Sequence, residues 1–230
     1  MDMDDTTVLV TGGTDGLGRA VAAAFADAGA RVVVGARDAD DLDATVEELG
    51  DEVRGLRTDV RDEYDLERLA ETAARFGPAG VGVVVPCAAV YHGDYGETPL
   101  PEQSYAGFDD TVRTNARGVF ATVRESLPHM PADGQVVVPT EGVARESRPG
   151  FGAYAVSKAA AEAVVRGFAA DCEQAVGAVD PGPVATDLSG GEGRDPGEAA
   201  AMVRWAATEL DPDTLDGGVV TVDEWDAATT

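Results

Sequence analysis

Lysine is almost missing from this chain. Lys158 is the only one among 17 basic residues, and all the others are arginine. Cysteine is nearly as scarce: Cys87 and Cys172 cannot form a disulfide framework, and a reduced cytoplasm is the simpler setting for them. Histidine occurs only as His92 and His129, and no His, Cys and acid cluster has metal-ligand spacing, so no metal is expected. A basic start is also lacking. The first residues, MDMDDTTVLV, are acidic and unlike a signal peptide, and no apolar run approaches the ~18 residues of a membrane span. These absences predict a cytoplasmic protein with no membrane partner.

Acid is what the chain has in excess. The 43 Asp and Glu residues against 17 basic ones give a formal charge of -26, which disfavours nucleic acid and anionic membranes as partners. The acids run through the whole sequence and do not gather in a tail, which favours adaptation to concentrated salt over a binding patch. At ~1 M salt, charges are screened within ~3 Å. Together with the near-absence of lysine, this composition resembles that of salt-loving archaea.

Hydrophobic residues make up 44% of 230, enough for one sizeable core. Short β-branched runs (TTVLV, RVVVGA, VRGLRT, VGVVVP, GQVVVP, AVGAV, GGVVTV) read as strands covered on both faces. Helical periodicity fills 16–28, 39–49, 63–75, 104–130, 151–173 and 196–210. Asp195 and Pro196 suit the cap and first turn of the last of these. Strand followed by helix, repeated, predicts a single doubly wound Rossmann-type α/β domain over 1–230 with a mostly parallel seven-stranded sheet.

The first strand ends in TGGTDGLGRA, where Gly12, Gly16 and Gly18 precede a helix. Glycine allows a tight turn and close backbone approach to a phosphate, and the helix start offers free N–H groups. Thr14 and Leu17 belong to the same loop. At the end of the second strand, where an acid would grip the ribose of NAD, stand Ala36 and then Arg37. A guanidinium suits the 2′-phosphate of NADP, so NADP(H) is expected ahead of NAD(H). The alternative is a solvated arginine opening the following turn. Tyr154 and Lys158, in YAVSK, share one helix face. A phenol is a poor base at neutral pH, and an adjacent ammonium would lower its pKa, giving a proton donor or acceptor. A merely solvated lysine would have become arginine, as the others have.

With these motifs in order, the chain resembles the short-chain dehydrogenase/reductase family of the classical type over nearly its whole length. The resemblance implies that Asp59 and Val60 hold the adenine, that Ala88 lets the cofactor lie close, and that Asn115 positions a water in a proton relay. It also implies that DPGPVATD, with Pro181, Gly182, Val184 and Thr186, contacts the nicotinamide. Lys158 would hold the nicotinamide ribose as well as tune Tyr154. A homodimer or homotetramer through the helices at 104–130 and 151–173 follows from the same likeness.

Three departures stand out. The family's serine, thirteen residues before the tyrosine, is Glu141, with Thr140 beside it. Thr140 swings in, or a protonated Glu141 donates, or the site is weak. The usual Asn-Asn-Ala-Gly is Pro86-Cys87-Ala88-Ala89, with Cys87 as buried filler. Only residues 188–194 stand where relatives carry a helical lid, so that segment is a mobile flap or no lid. His92 borders the cleft, and His129 suits a helix end. The implied activity is hydride transfer between NADP(H) and a ketone or secondary alcohol. The alternatives are a dinucleotide-binding regulator or scaffold and, more weakly, a nucleotide-sugar epimerase or dehydratase.

Overall fold

Valine triplets build the centre of the molecule. Val32–Val34, Val83–Val85 and Val136–Val138 are each buried on both faces, as β-branched side chains are in a sheet covered from both sides. In the computed structural model, which describes residues 3–229, the strands are β1 (Thr7–Thr11), β2 (Arg31–Ala36), β3 (Val53–Arg57), β4 (Val83–Pro86), β5 (Gln135–Pro139), β6 (Ala175–Asp180) and β7 (Val219–Thr221). They form one sheet in the order β3-β2-β1-β4-β5-β6-β7. Every pairing is parallel, so the sheet is fully rather than mostly parallel. The order reverses between β1 and β4, which opens a crevice at the carboxyl ends of those strands.

Helices cover both faces. On one lie α1 (Gly16–Asp27), α2 (Ala39–Leu49) and α7 (Pro196–Thr208), whose Phe25, Leu42 and Met202 share a core with Val10 and Val34. On the other lie α3 (Glu63–Phe76), α5 (Gly118–Ser126) and α6 (Gly152–Asp171), whose Leu69, Val123 and Val165 pack with Leu9 and Val84. Part of the acid excess caps helices: Asp15, Asp38, Asp62 and Asp195 each accept a backbone N–H at a helix start. Among the described residues, no helix is long and apolar enough to cross a membrane.

Two elements differ from the sequence expectation. The helix expected at 104–130 is divided into α4 (Tyr105–Val112), a π-helical segment (Arg113–Arg117), α5 and a final 3₁₀ turn (Leu127–His129). Pro128 removes a donor in that last turn, and the widened turn carries Asn115. After the short α8 (Pro212–Leu215), the tail beyond β7 forms α9 (Val222–Thr229). There Glu224 accepts from the backbone N–H and hydroxyl of Thr221, and Trp225 rests on the core.

Candidate active site

The crevice is a cleft of about 650 Å³. Each of six strands supplies the residue that directly follows it: Gly12 after β1, Arg37 after β2, Thr58 after β3, Cys87 after β4, Thr140 after β5 and Pro181 after β6. The cofactor residues expected from sequence (Gly12, Thr14, Gly16, Leu17, Gly18, Arg37, Asp59, Val60, Ala88, Lys158, Pro181, Gly182, Val184 and Thr186) all line it, together with Thr140, Glu141 and Tyr154. Asn115 is buried behind the wall and does not line it. His92 also stands outside, paired with Asp110 at 2.9 Å.

At the β1 end the backbone leaves no room for side chains. Gly12 has φ 67°, and a Cβ there would lie 2.7 Å from the Cα of Ala88. At Gly18 a Cβ would lie 2.2 Å from the carbonyl oxygen of Gly12. The first N–H groups of α1 have no partner within the helix. Asp15 covers that of Gly16, leaving those of Leu17 and Gly18 for a ligand. Further along, the Thr114 hydroxyl is buried in the cleft wall without a hydrogen-bond partner. A glycine-lined phosphate cradle, an orphaned hydroxyl and a guanidinium at Arg37 fit a nicotinamide dinucleotide.

The end of the cleft around Asp59 holds a residue that the sequence reading missed. Arg61 grips Asp59 through Nε and Nη2 and reaches Asp110 at 2.7 Å. These bonds hold the Asp59 carboxyl below its usual range and the Arg61 guanidinium above its own. The sequence signal was available: Asp59 and Arg61 stand two apart, in TDVRD. Loss of the family's asparagines after β4 is made good from β1, since the Thr11 hydroxyl accepts from the Ala88 N–H at 3.4 Å and its carbonyl from Cys87 N–H at 3.1 Å. Burial pushes the Cys87 thiol up to about 12, which suits filler and not a nucleophile.

Asn115 accepts from Val90 N–H at 2.8 Å and donates to the Val90 carbonyl at 2.9 Å and to Ser157 Oγ at 3.1 Å. Ser157 in turn donates to the Tyr154 carbonyl at 2.7 Å. The π-helical turn therefore ties the loop after β4 to the start of α6, and fixes Tyr154 from behind.

The end of the cleft around Tyr154 corrects two expectations. First, the Tyr154 pKa is raised and not lowered, despite Lys158. The Lys158 Nζ donates to the Pro139 carbonyl at 3.0 Å and lies 5.5 Å from the Tyr154 ring centre. Burial, with the nearby Glu141 charge, drives the phenol well above 10. Burial likewise lowers Lys158 below 10.5, against the pull of Glu141. Second, the Thr140 hydroxyl does not swing toward the phenol; it donates to Glu162 at 2.8 Å. It is Glu141 that faces the phenol. It is 5% exposed and receives two phenols, Tyr95 at 2.6 Å and Tyr154 at 3.2 Å. Burial and this bond raise the Tyr95 pKa.

Beneath this end, Arg145 bridges two buried acids, Glu162 at 3.1 Å and Asp180. Asp180 also accepts from Gly182 N–H at 3.0 Å, anchoring the turn after β6. Residues 188–194 bond back to the turn after β6. Arg194 N–H donates to the Pro183 carbonyl and Ala185 N–H to that of Arg194, each at 2.8 Å.

The pattern that defines the short chain dehydrogenase family matches residues 6–197. An NADPH-dependent aldehyde reductase-like protein of the Arabidopsis thaliana chloroplast is 29% identical over 204 residues, covering 78% of this chain and 73% of that protein. A glycine betaine reductase of Emericella nidulans is 35% identical over 79% of this chain, but the chain spans only 15% of that protein's length. A dehydrogenase/reductase of solved structure from Sinorhizobium meliloti 1021 superimposes with a TM-score of 0.84 and 27% identity, over 96% of this chain and 94% of that one. The chain belongs to the short-chain dehydrogenase family.

Proposed function

We propose that this short-chain dehydrogenase is an NADP(H)-dependent oxidoreductase that moves a hydride between nicotinamide and a small carbonyl compound or secondary alcohol. The observation that carries this reading is the convergence of the glycine cradle, Tyr154 and Lys158 on one cleft at the carboxyl edge of the sheet. The bound dinucleotide supplies the hydride. Gly12, Thr14, Gly16, Leu17 and Gly18 receive its pyrophosphate, and Asp59, Val60 and Ala88 receive its adenosine. Pro181, Gly182, Val184 and Thr186 receive the nicotinamide, and Lys158 its ribose. Tyr154 moves the proton, held in place through Ser157 and Asn115.

NADP(H) is favoured over NAD(H) by Arg37 beside Ala36, with no acid in the ribose position, and by the NADPH dependence of the Arabidopsis relative. Arg37→Ala is expected to weaken NADPH binding by roughly 10–100-fold, since a hydrogen bond to a charged group contributes about 1.5–3 kcal/mol. NADH binding should move less than about threefold. Titration of each dinucleotide by fluorescence checks this, and an equal loss for both would remove Arg37 from 2′-phosphate recognition.

A second reading, a weak or inactive dinucleotide-binding regulator, draws on one observation. The Tyr154 proton is directed at Glu141 and the Thr140 hydroxyl at Glu162, so both hydroxyls expected to serve a developing oxyanion are already engaged. Dinucleotide binding without hydride transfer to any acceptor distinguishes it. A homodimer or homotetramer is supported by Phe120 of α5 and Phe168 of α6, which stack 5.7 Å apart with Phe120 exposed. The acid-rich composition supports a cytoplasmic protein working in concentrated salt.

A further inference from the structure

A carboxylate stands where a carbonyl reductase needs a hydrogen-bond donor. Glu141 Oε2 is 3.2 Å from the Tyr154 phenol oxygen, so a heteroatom that contacts the phenol also lies beside this carboxylate. Reduction of a ketone builds negative charge on that atom. Removing a single oxyanion donor already lowers kcat by about 10²–10³, and an acceptor-only anion in its place opposes the charge outright.

The same carboxylate suits the opposite sign. Among the described residues, no basic side chain forms an ion pair with Glu141, whereas the neighbouring acids Glu162 and Asp180 share Arg145. Lys158 shares the cleft, but its ammonium is bonded to the Pro139 carbonyl. Around Glu141 the wall is aromatic. The Tyr91 ring centre is 5.1 Å from that of Tyr154 and 5.5 Å from that of Tyr95, and Tyr95 meets Phe151 edge-on at 5.1 Å. Electron-rich ring faces beside a buried carboxylate attract an organic cation; of these rings Tyr95 and Tyr154 line the cleft, with Tyr91 and Phe151 packed against them.

We infer that the bond reduced in this cleft is a carbon–nitrogen double bond in its protonated, iminium form, with Glu141 selecting the charged nitrogen. This deepens the oxidoreductase reading above and rests on it. One hydride, taken from the reduced nicotinamide dinucleotide, forms the new C–H bond. The C=N π pair becomes the nitrogen lone pair, the iminium carbon is reduced and the dinucleotide is oxidised. No oxyanion forms. The nitrogen arrives with its proton, so the high pKa of Tyr154 is no handicap, and the amine takes up a proton from water on leaving.

Two measurements test it. On the chain without dinucleotide, binding of benzyltrimethylammonium is compared with that of neopentylbenzene, its neutral isostere, by shifts of the tyrosine ring resonances. The cation is expected to bind at least about tenfold more tightly, an advantage lost in Glu141→Gln. With reduced dinucleotide, a cyclic imine should be reduced faster than the matching cyclic ketone, and Glu141→Ser should reverse that order. Equal binding of the two probes, a preference that survives Glu141→Gln, or reduction of ketones alone would overturn the inference. The wild-type probe comparison decides even where a variant fails to fold. Carbonyl turnover without cation preference sinks this inference and leaves the oxidoreductase reading intact. Failure to bind either dinucleotide sinks the oxidoreductase reading and the inference with it, even if the cation still binds.

Discussion

Tyr154→Phe is expected to lower carbonyl reduction by about 10²–10⁴-fold, the range contributed by a positioned acid. Dinucleotide affinity should change less than about threefold. The ring packing against Tyr91 and Tyr95 survives the substitution, and only the hydroxyl that reaches Glu141 is lost. Reduction of an iminium substrate should fall less, within about tenfold, because its nitrogen needs no proton during hydride transfer. The pH profile carries the sign. Tyr154 keeps its proton past pH 10, because burial and Glu141 raise its pKa. An alkaline fall in rate that begins below pH 10.5 therefore belongs to Lys158, whose ammonium burial destabilises. Single-turnover rates of wild type and variant across pH check both points. Equal carbonyl rates would take Tyr154 out of the chemistry.

The largest expected loss of stability comes from Arg145→Met. Glu162 is 4% exposed, and its partner on the other side of the guanidinium, Asp180, is also buried. Removing the shared cation leaves two buried carboxylates uncompensated, which typically costs about 3–5 kcal/mol. Arg145 keeps about a third of its side chain in solvent, so the low end, about 3 kcal/mol, is expected here. For a chain of this size that lowers Tm by roughly 6–12 °C. Arg148→Met, whose guanidinium pairs with the exposed Glu146, should stay within about 0.5 kcal/mol. Calorimetry of both variants at one salt concentration checks the contrast, and equal Tm values would show that the bridge adds nothing.

Periodicity and spacing made most of the fold legible. The seven runs became the seven strands. Those at the centre are apolar throughout because both faces are buried, while the edge strand β3 (VRGLR) exposes Arg54, Gly55 and Arg57 and is not covered on both faces as expected. Asp195 with Pro196 opened α7 as their chemistry demands. The π-helical turn around Asn115 was not legible, because its cause is tertiary: a side chain reaching Val90 and Ser157. A compositional clue did exist, since Asn115 is the only asparagine in the chain, as Lys158 is the only lysine.

In the cleft, glycine spacing and strand ends predicted which residues would share one lining, because these follow from backbone geometry. Side-chain direction did not follow from spacing. Thr140 and Glu141 are adjacent at a strand end, so one turns to Glu162 and the other to two phenols. Helical spacing also placed Lys158 near Tyr154 without revealing that burial and a third residue, Glu141, would outweigh the ammonium. The Arg61 contact with Asp110 and the Arg145 bridge were missed for the same reason, since those partners are distant in sequence.

Isotope transfer tests the central claim most directly. NADPH deuterated at the reactive face of C4 is supplied to the wild-type chain with paired cyclic imines and ketones, and the products are weighed by mass spectrometry. One deuterium at the former double-bonded carbon, in imines before ketones, is the predicted result. Unlabelled acceptors recovered intact, with dinucleotide bound and the fold unchanged, would contradict it.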